Sequence, residues 1–254
     1  MTKIIAIANQ KGGVGKTTTA VNLATAFAAV GKRTLLIDLD PQGNASTGLG
    51  LGQEDRSPNT YDMVLGQATL DECERDCEIP KLSIVPAVMD LSAADIELAG
   101  MDDREFLLKK QIQGASKKYD YILIDCPPSL GLLTVNALTA ATHIIIPLQC
   151  EFFALEGLSY LLNTIELVQN NLNPDLKIGG IALTMYDRRN RITQEVEKDV
   201  RKHLGALVFK STIPRNVKLS EAPSHGKPAI IYDHRCTGSE AYLMLAREAL
   251  KNIK

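Results

Sequence analysis

The sequence predicts an α/β protein: a mostly parallel, twisted sheet with helices on both faces. Three observations predict it. Short apolar runs alternate along the chain with longer helical patterns. The runs are continuous in Ile, Leu and Val rather than strictly alternating, as befits strands covered on both sides. Gly- and Asp-rich loops follow the runs, and parallel sheets gather their ligands beyond the carboxyl ends of their strands.

In chain order, residues 4–8 read as the first strand and 17–30 as the helix that follows it. Strands follow at 34–37, 82–85, 121–124, 143–147, 178–184 and 206–209, with helices at 130–140, 155–170, 193–203 and 239–252. The stretch 43–80 is the least regular, broken by Gly48, Gly50, Gly52, Pro58 and Gly66, and reads as a surface excursion rather than a linker. Neither an internal repeat nor a low-complexity segment is visible, and residues 1–254 are expected to form one domain.

Composition narrows the function classes. Hydrophobic residues make up 45% and charged residues 23%, an ordinary globular balance. A net charge of -2 gives no basic field over the whole molecule, so any nucleic-acid binding must come from a local patch. The five cysteines include no C-x-x-C pair, which argues against a disulfide framework or zinc site and fits a reducing cytosol. No run approaches the ~18 apolar residues of a membrane span. The expectation is a soluble, cytoplasmic protein.

The strongest motif is Gln10-Lys11-Gly12-Gly13-Val14-Gly15-Lys16-Thr17-Thr18, placed between a strand and a helix. That setting makes it a phosphate loop: backbone N–H groups of the glycine turn and the helix start point at an anion. Lys16 then neutralises the β/γ-phosphates of ATP and the Thr17 hydroxyl ligates Mg²⁺. The first glycine of the usual pattern is replaced by Gln10, and a second lysine, Lys11, follows it. Lys11 is well placed to reach a partner's nucleotide, as an arginine finger does for a gain on the order of 10³–10⁵ in rate.

Two further runs end in acid. Leu35-Leu36-Ile37-Asp38-Leu39-Asp40 leaves Asp40 able to position or deprotonate a water, with Asp38 supporting a Mg²⁺ shell or the loop itself. Alternatively these acids only cap the turn before Pro41. Tyr121-Ile122-Leu123-Ile124-Asp125 has the Walker B form, in which the carboxylate meets Mg²⁺ through water. Together with the phosphate loop these runs make the fold P-loop NTPase-like.

These residues resemble the ParA/Soj chromosome-partitioning ATPases, part of the ParA/MinD group of deviant Walker ATPases. The likeness extends through Asp38-Leu39-Asp40-Pro41-Gln42-Gly43-Asn44, Asp125-Cys126-Pro127-Pro128-Ser129 and Pro147-Leu148-Gln149-Cys150-Glu151 to Ile213-Pro214-Arg215-Asn216-Val217 and Ser220-Glu221-Ala222-Pro223. The resemblance implies a homodimer that sandwiches ATP, with Lys11 acting across it, Gly12 at the dimer contact and Asp40 required for hydrolysis. It also implies that Pro214 and Asn216 hold the adenine, that a ParB-like partner stimulates a slow ATPase, and that the protein associates with the nucleoid.

From 187 to 235 there are eleven Lys and Arg against six Asp and Glu. Read alone, that segment is a solvated helix face carrying i,i+4 pairs. The resemblance points instead to non-specific double-stranded DNA, with Arg188, Arg189, Arg215 and Lys218 as candidate contacts. Two rivals share the chemistry. A MinD-like positioning ATPase needs a basic amphipathic segment to lie on a membrane, and residues 242–254 read instead as a docking helix. An iron-protein-like carrier needs cysteines facing across a dimer, for which Cys126 is the one awkward candidate.

Overall fold

The computed structural model describes residues 2–115 and 118–253. Eight strands form one sheet: β1 (Lys3–Ile7), β2 (Thr34–Asp38), β3 (Arg75–Asp76), β4 (Leu82–Val85), β5 (Tyr121–Asp125), β6 (His143–Gln149), β7 (Lys177–Tyr186) and β8 (Val208–Pro214). Their spatial order is β3-β4-β2-β5-β1-β6-β7-β8, and every pairing is parallel except that of β3 with β4. The long helices are α1 (Lys16–Ala29), α7 (Leu132–Ala140), α8 (Ala154–Asn171), α9 (Arg191–Leu204) and α12 (Thr237–Asn252). The others are α2 (Asn44–Gly48), α3 (Thr60–Val64), α4 (Leu70–Cys73), α5 (Ala94–Leu98), α6 (Leu107–Ala115), which equals α7 in length, α10 (Val217–Glu221) and α11 (Ala229–Tyr232).

Successive strand residues point to opposite faces, and the central strands divide their side chains between two cores. Ile5, Ile7, Leu36, Leu123 and Ile145 join α1 and α12 on one face. Ala6, Leu35, Ile37, Ile122, Ile124, Ile144 and Ile146 join the core of α3 to α8 on the other. All of these strand residues are 0% exposed. That explains the unbroken apolar runs: a strand buried on both faces has no solvent side to mark with polar residues.

Several boundaries depart from the sequence reading. The last strand is Val208–Pro214 rather than 206–209, because residues 205–207 form a short 3₁₀ turn and the strand continues through Lys210, Ser211 and Thr212. It is an edge strand, so one side faces water and polar residues interrupt the apolar run. The two-residue β3 is too short and too charged to announce itself. Helix α6 lies where no helix was expected and buries Leu108 and Ile112.

The stretch 43–80 is not a surface excursion throughout. Met63, Val64, Leu70 and Cys73 are buried in the core beside β2 and β4. They are carried by helices of four and five residues, each begun by a capping box, Asn59 with Asp62 and Thr69 with Glu72. Helices this short carry too few turns to display a period of 3.6.

Helix α12 is held on α1 by Tyr242, Leu245, Ala246 and Ala249, all buried. Within that contact the Tyr242 and Thr19 hydroxyls share a buried hydrogen bond of 3.1 Å. Tyr242→Phe is expected to lower stability by about 1 kcal/mol, the usual net worth of such a bond. Chemical denaturation with an unchanged m-value checks this.

Candidate nucleotide site

Strand register brings the site together. Ile7 of β1 pairs with Asp125 of β5, and Asp125 pairs with Asp38 of β2. The three strands therefore end level, and the loops that leave them rise side by side. The phosphate loop follows β1 and turns into α1. Its turn needs φ of +73° at Gly13 and +86° at Gly15, a region that only glycine enters without strain. Gly15 also caps α1, whose first residue is the buried Lys16. Thr17 and Thr18 occupy the first turn, so the loop and helix start form an anion cradle.

Neighbouring strands brace this loop. Thr184 of β7 donates its hydroxyl to the Val14 carbonyl at 2.7 Å, and both residues are buried. Asn9 donates to the Pro147 carbonyl at 2.7 Å and accepts from the Lys11 backbone N–H at 3.0 Å. Lys16 Nζ lies back across the loop, 3.1 Å from the Lys11 carbonyl. Burial holds its pKa below the usual lysine value, while Asp125 and Asp40 pull it upward.

The Lys11 side chain leaves the loop in the other direction. Its Nζ pairs with Glu151 Oε2 at 2.5 Å, and both side chains are about half exposed, 41% and 47%. Gly12 beside it is exposed, and a Cβ there would meet nothing within 4 Å.

The acids divide the work. Asp125 is fully buried, and among the described residues neither carboxylate oxygen has a partner in hydrogen-bonding geometry, although the Thr17 hydroxyl lies close enough to favour its charge. Burial raises its pKa well above the ordinary value, with the Asp38 charge adding to the rise. Thr17 and Lys16 pull the other way. Asp38 is also fully buried, but it is spent on its own loop: Oδ2 accepts from the Ser46 backbone N–H at 2.8 Å and hydroxyl at 2.7 Å. Burial nevertheless lifts its pKa to about 6. Asp40 is 7% exposed, and its Oδ1 accepts from the Gln42 N–H at 3.0 Å.

An unpartnered buried carboxylate beside a helix-start threonine and a lysine fits a Mg²⁺ bound with a triphosphate. Among the described residues no cluster of three or more His, Cys, Asp or Glu could hold a metal by itself. Such an ion would draw most of its ligands from phosphate and water.

Beyond the phosphate loop, a cavity of about 260 Å³ is lined by Gly15, Thr18, Pro214, Asn216 and Tyr242, among others. The Asn216 amide caps α10 by accepting from the Lys218 N–H at 2.8 Å and donates to the Thr237 hydroxyl at 2.9 Å. Arg188, Arg189 and Arg215 share a separate open groove with Tyr186 and Thr212. Arg189 pairs with Asp187, whereas Arg188 and Arg215 make no ion pair among the described residues. Lys218 sits elsewhere, paired with Glu221 at 2.8 Å and 5.6 Å above the Tyr232 ring. Cys126 is fully buried, and its thiol is pushed up by burial and by Asp125. The sequence assigned no role to Thr184, Arg56 or Glu151, the last named only within a family-like stretch, because their roles come from contacts between distant segments.

A family model described as an AAA domain matches residues 2–178. The chain is 56% identical over 250 residues to the chromosome partitioning protein ParA of Caulobacter vibrioides, spanning 98% of this chain and 94% of that protein. It is 53% identical over 252 residues to the sporulation initiation inhibitor protein Soj of Bacillus subtilis, spanning 99% and 100%.

The chain belongs to the ParA/Soj family of chromosome-partitioning ATPases. A solved structure of cobyrinic acid a,c-diamide synthase from Mycobacterium smegmatis, with bound ATP analog and magnesium, matches this ParA/Soj chain with a TM-score of 0.87. The two are 36% identical, and the match spans 99% of this chain and 95% of that one.

Replacing Thr184 by Val in this ParA/Soj ATPase leaves the Val14 carbonyl buried without its donor. A loss of about 1–3 kcal/mol of stability is expected, together with weaker nucleotide binding. Thermal melts with and without ATP read both effects.

Proposed function

We propose that the chain is an ATP-hydrolysing dimer switch. In its ATP-bound state it binds double-stranded DNA without sequence preference, and with a ParB-like partner it drives chromosome or plasmid partitioning. The observation that carries this reading is the division of labour between two lysines. Lys16 is buried over the phosphate loop, while Lys11 extends away from it onto Glu151 beside the exposed Gly12. A cation turned outward from its own loop serves a triphosphate held by a second copy.

On this reading each copy binds ATP through Gly12, Gly13, Val14, Gly15, Lys16, Thr17 and Thr18. Thr17 and, through water, Asp125 would hold Mg²⁺, which would supply charge neutralisation of the phosphates. Asp38 steadies the loop that carries Asp40, and Asp40 orients the attacking water. Pro214 and Asn216 line the adenine cavity. Because the Asn216 amide is committed to its cap and to Thr237, backbone groups meet the base edge. Hydrolysis is slow alone and the partner accelerates it by ordering these groups.

The arginine groove supports the DNA role. Arg188 and Arg215 lie together without ion pairs among the described residues, and Arg189 extends beside them with its side chain 91% exposed. Lys218 contributes through its position on α10. One such patch binds weakly, and an ATP dimer joins two, so that DNA affinity follows the nucleotide. The protein then works in the cytoplasm, on the nucleoid, as a single domain over residues 1–254.

A MinD-like membrane role is less well supported. The apolar side of α12 is spent on α1, and no helix among the described residues is long and apolar enough to cross a membrane. A synthase role is also less well supported, because the likeness to the ParA protein is the closer, 56% against 36%.

The test uses Asp40→Ala, which holds the ATP state. With ATP this variant is expected to elute as a dimer and to bind random-sequence DNA with a steeper salt dependence than with ADP. Lys11→Ala and Gly12→Val are expected to melt like the parent yet remain monomeric with ATP. Equal salt slopes in ATP and ADP would count against the switch.

A further inference from the structure

Arg56 lies in the stretch between α2 and α3 and plays no part in the proposed chemistry. It is 2% exposed and has no carboxylate partner among the described residues. A buried guanidinium without a salt-bridge partner is costly, and burial lowers its pKa although the Asp38 and Glu54 charges oppose the fall. Its hydrogen bonds show where the charge is spent. One terminal nitrogen donates to the carbonyls of Gly43 and Ala87, each at 3.3 Å. The other donates to the Thr47 hydroxyl and the Leu51 carbonyl, each at 2.8 Å. Nε has no partner.

Two of these four acceptors, Gly43 and Thr47, belong to the loop and helix that follow Asp40, and Leu51 lies just beyond that helix. Gly43 returns its own N–H to the Asp40 carbonyl at 2.9 Å, so the turn from Asp40 to Gly43 is closed on one side and clamped by Arg56 on the other. The Ala87 peptide completes the frame. Its carbonyl accepts from Arg56, and its N–H donates to the Ser46 hydroxyl at 3.0 Å, the same hydroxyl that donates to Asp38. Gly43 has φ +62°, and a Cβ there would stand 2.4 Å from the Arg56 guanidinium and 2.9 Å from the Ala87 carbonyl oxygen. The loop is therefore built around the guanidinium, with no room for a side chain between them.

We propose that Arg56 is a positioning residue for hydrolysis, holding the Asp40–Thr47 loop so that the Asp40 carboxylate stands at a fixed place over the phosphate loop. This inference rests on the reading of Asp40 as the residue that orients water. A planar group with several donors suits the task, because one side chain gathers acceptors from three separate segments. Misplacement of a catalytic group by about 1 Å can cost about 100-fold in rate. Nucleotide affinity, set by the separate phosphate loop, is left largely alone.

Arg56→Met fills the space without donors, and Thr47→Val removes one acceptor, together with the Thr47 hydroxyl's bond to the Gly43 carbonyl at 3.1 Å, with little change of shape. Each is compared with the parent and with Asp40→Ala for kcat and KM with ATP in the presence of DNA. Hydrogen exchange is followed at the Gln42, Gly43 and Ser46 amides. Arg56→Met is expected to lower kcat by about 10- to 100-fold with KM within about two-fold, and to speed exchange at those amides. Thr47→Val moves both in the same direction by less. A folded Arg56→Met with parental kcat, or a joint change of kcat and KM without faster exchange, overturns the proposal. If Arg56→Met does not fold, unchanged kcat and exchange in Thr47→Val overturn it. An Asp40→Ala protein with parental kcat instead removes the reading of Asp40, and the exchange data still decide whether Arg56 holds the loop.

Discussion

Two carboxylates buried level with one another, at the ends of adjacent parallel strands, are the constraint around which this molecule is arranged. Asp38 and Asp125 are register partners and both are fully buried. Burial disfavours the charge of both, and the Asp38 charge further disfavours that of Asp125. The two respond differently. Asp38 gives its charge to the backbone and hydroxyl of Ser46 and thereby shapes the loop that follows β2. Asp125 has no partner in hydrogen-bonding geometry for either oxygen among the described residues, with only the nearby Thr17 hydroxyl and Lys16 favouring its charge. A group left in that condition costs stability unless a ligand supplies what the protein withholds, and the phosphate loop leaves β1 at the same level, where the proposed nucleotide and its cation would meet it.

The surroundings keep those loops from settling into more comfortable arrangements. Thr184 ties the phosphate loop to β7, Asn9 ties its entry to β6, and Arg56 fastens the loop after Asp40 to the segment after β4. Each tie joins parts of the chain that are far apart in sequence. Folding is thereby coupled to site geometry: the sheet order, with β1 between β5 and β6, decides which loops meet at the switch point. Lys11 is the exception, since its surface ion pair is of the kind worth little in water. That weakness suits the proposal that Lys11 leaves one partner for another.

The legible features were those written in short consecutive motifs. The glycine turn, the two lysines and the runs ending in Asp40 and Asp125 each carry their meaning within ten residues, and the doubly buried strands announce themselves by unbroken Ile, Leu and Val. What the sequence concealed depends on long-range contact. β8 runs on through polar residues because it is an edge, and the buried helices between 60 and 73 are too short to show a period. Arg56 in a stretch rich in charge and glycine looks like an exposed cation until the carbonyls of Gly43, Leu51 and Ala87 are seen converging on it. Glu151 gives no sign of pairing with a residue 140 positions earlier.

The central claim is that the unpartnered Asp125 carboxylate exists to hold a divalent cation with the triphosphate. The most direct measurement is the rise in melting temperature that ATP produces with Mg²⁺ and with EDTA, in Asp40→Ala and in the same protein also carrying Asp125→Asn. The account predicts a large Mg²⁺-dependent increment in the first protein, and its loss in the second with the EDTA value preserved. An increment that survives Asp125→Asn unchanged would contradict it.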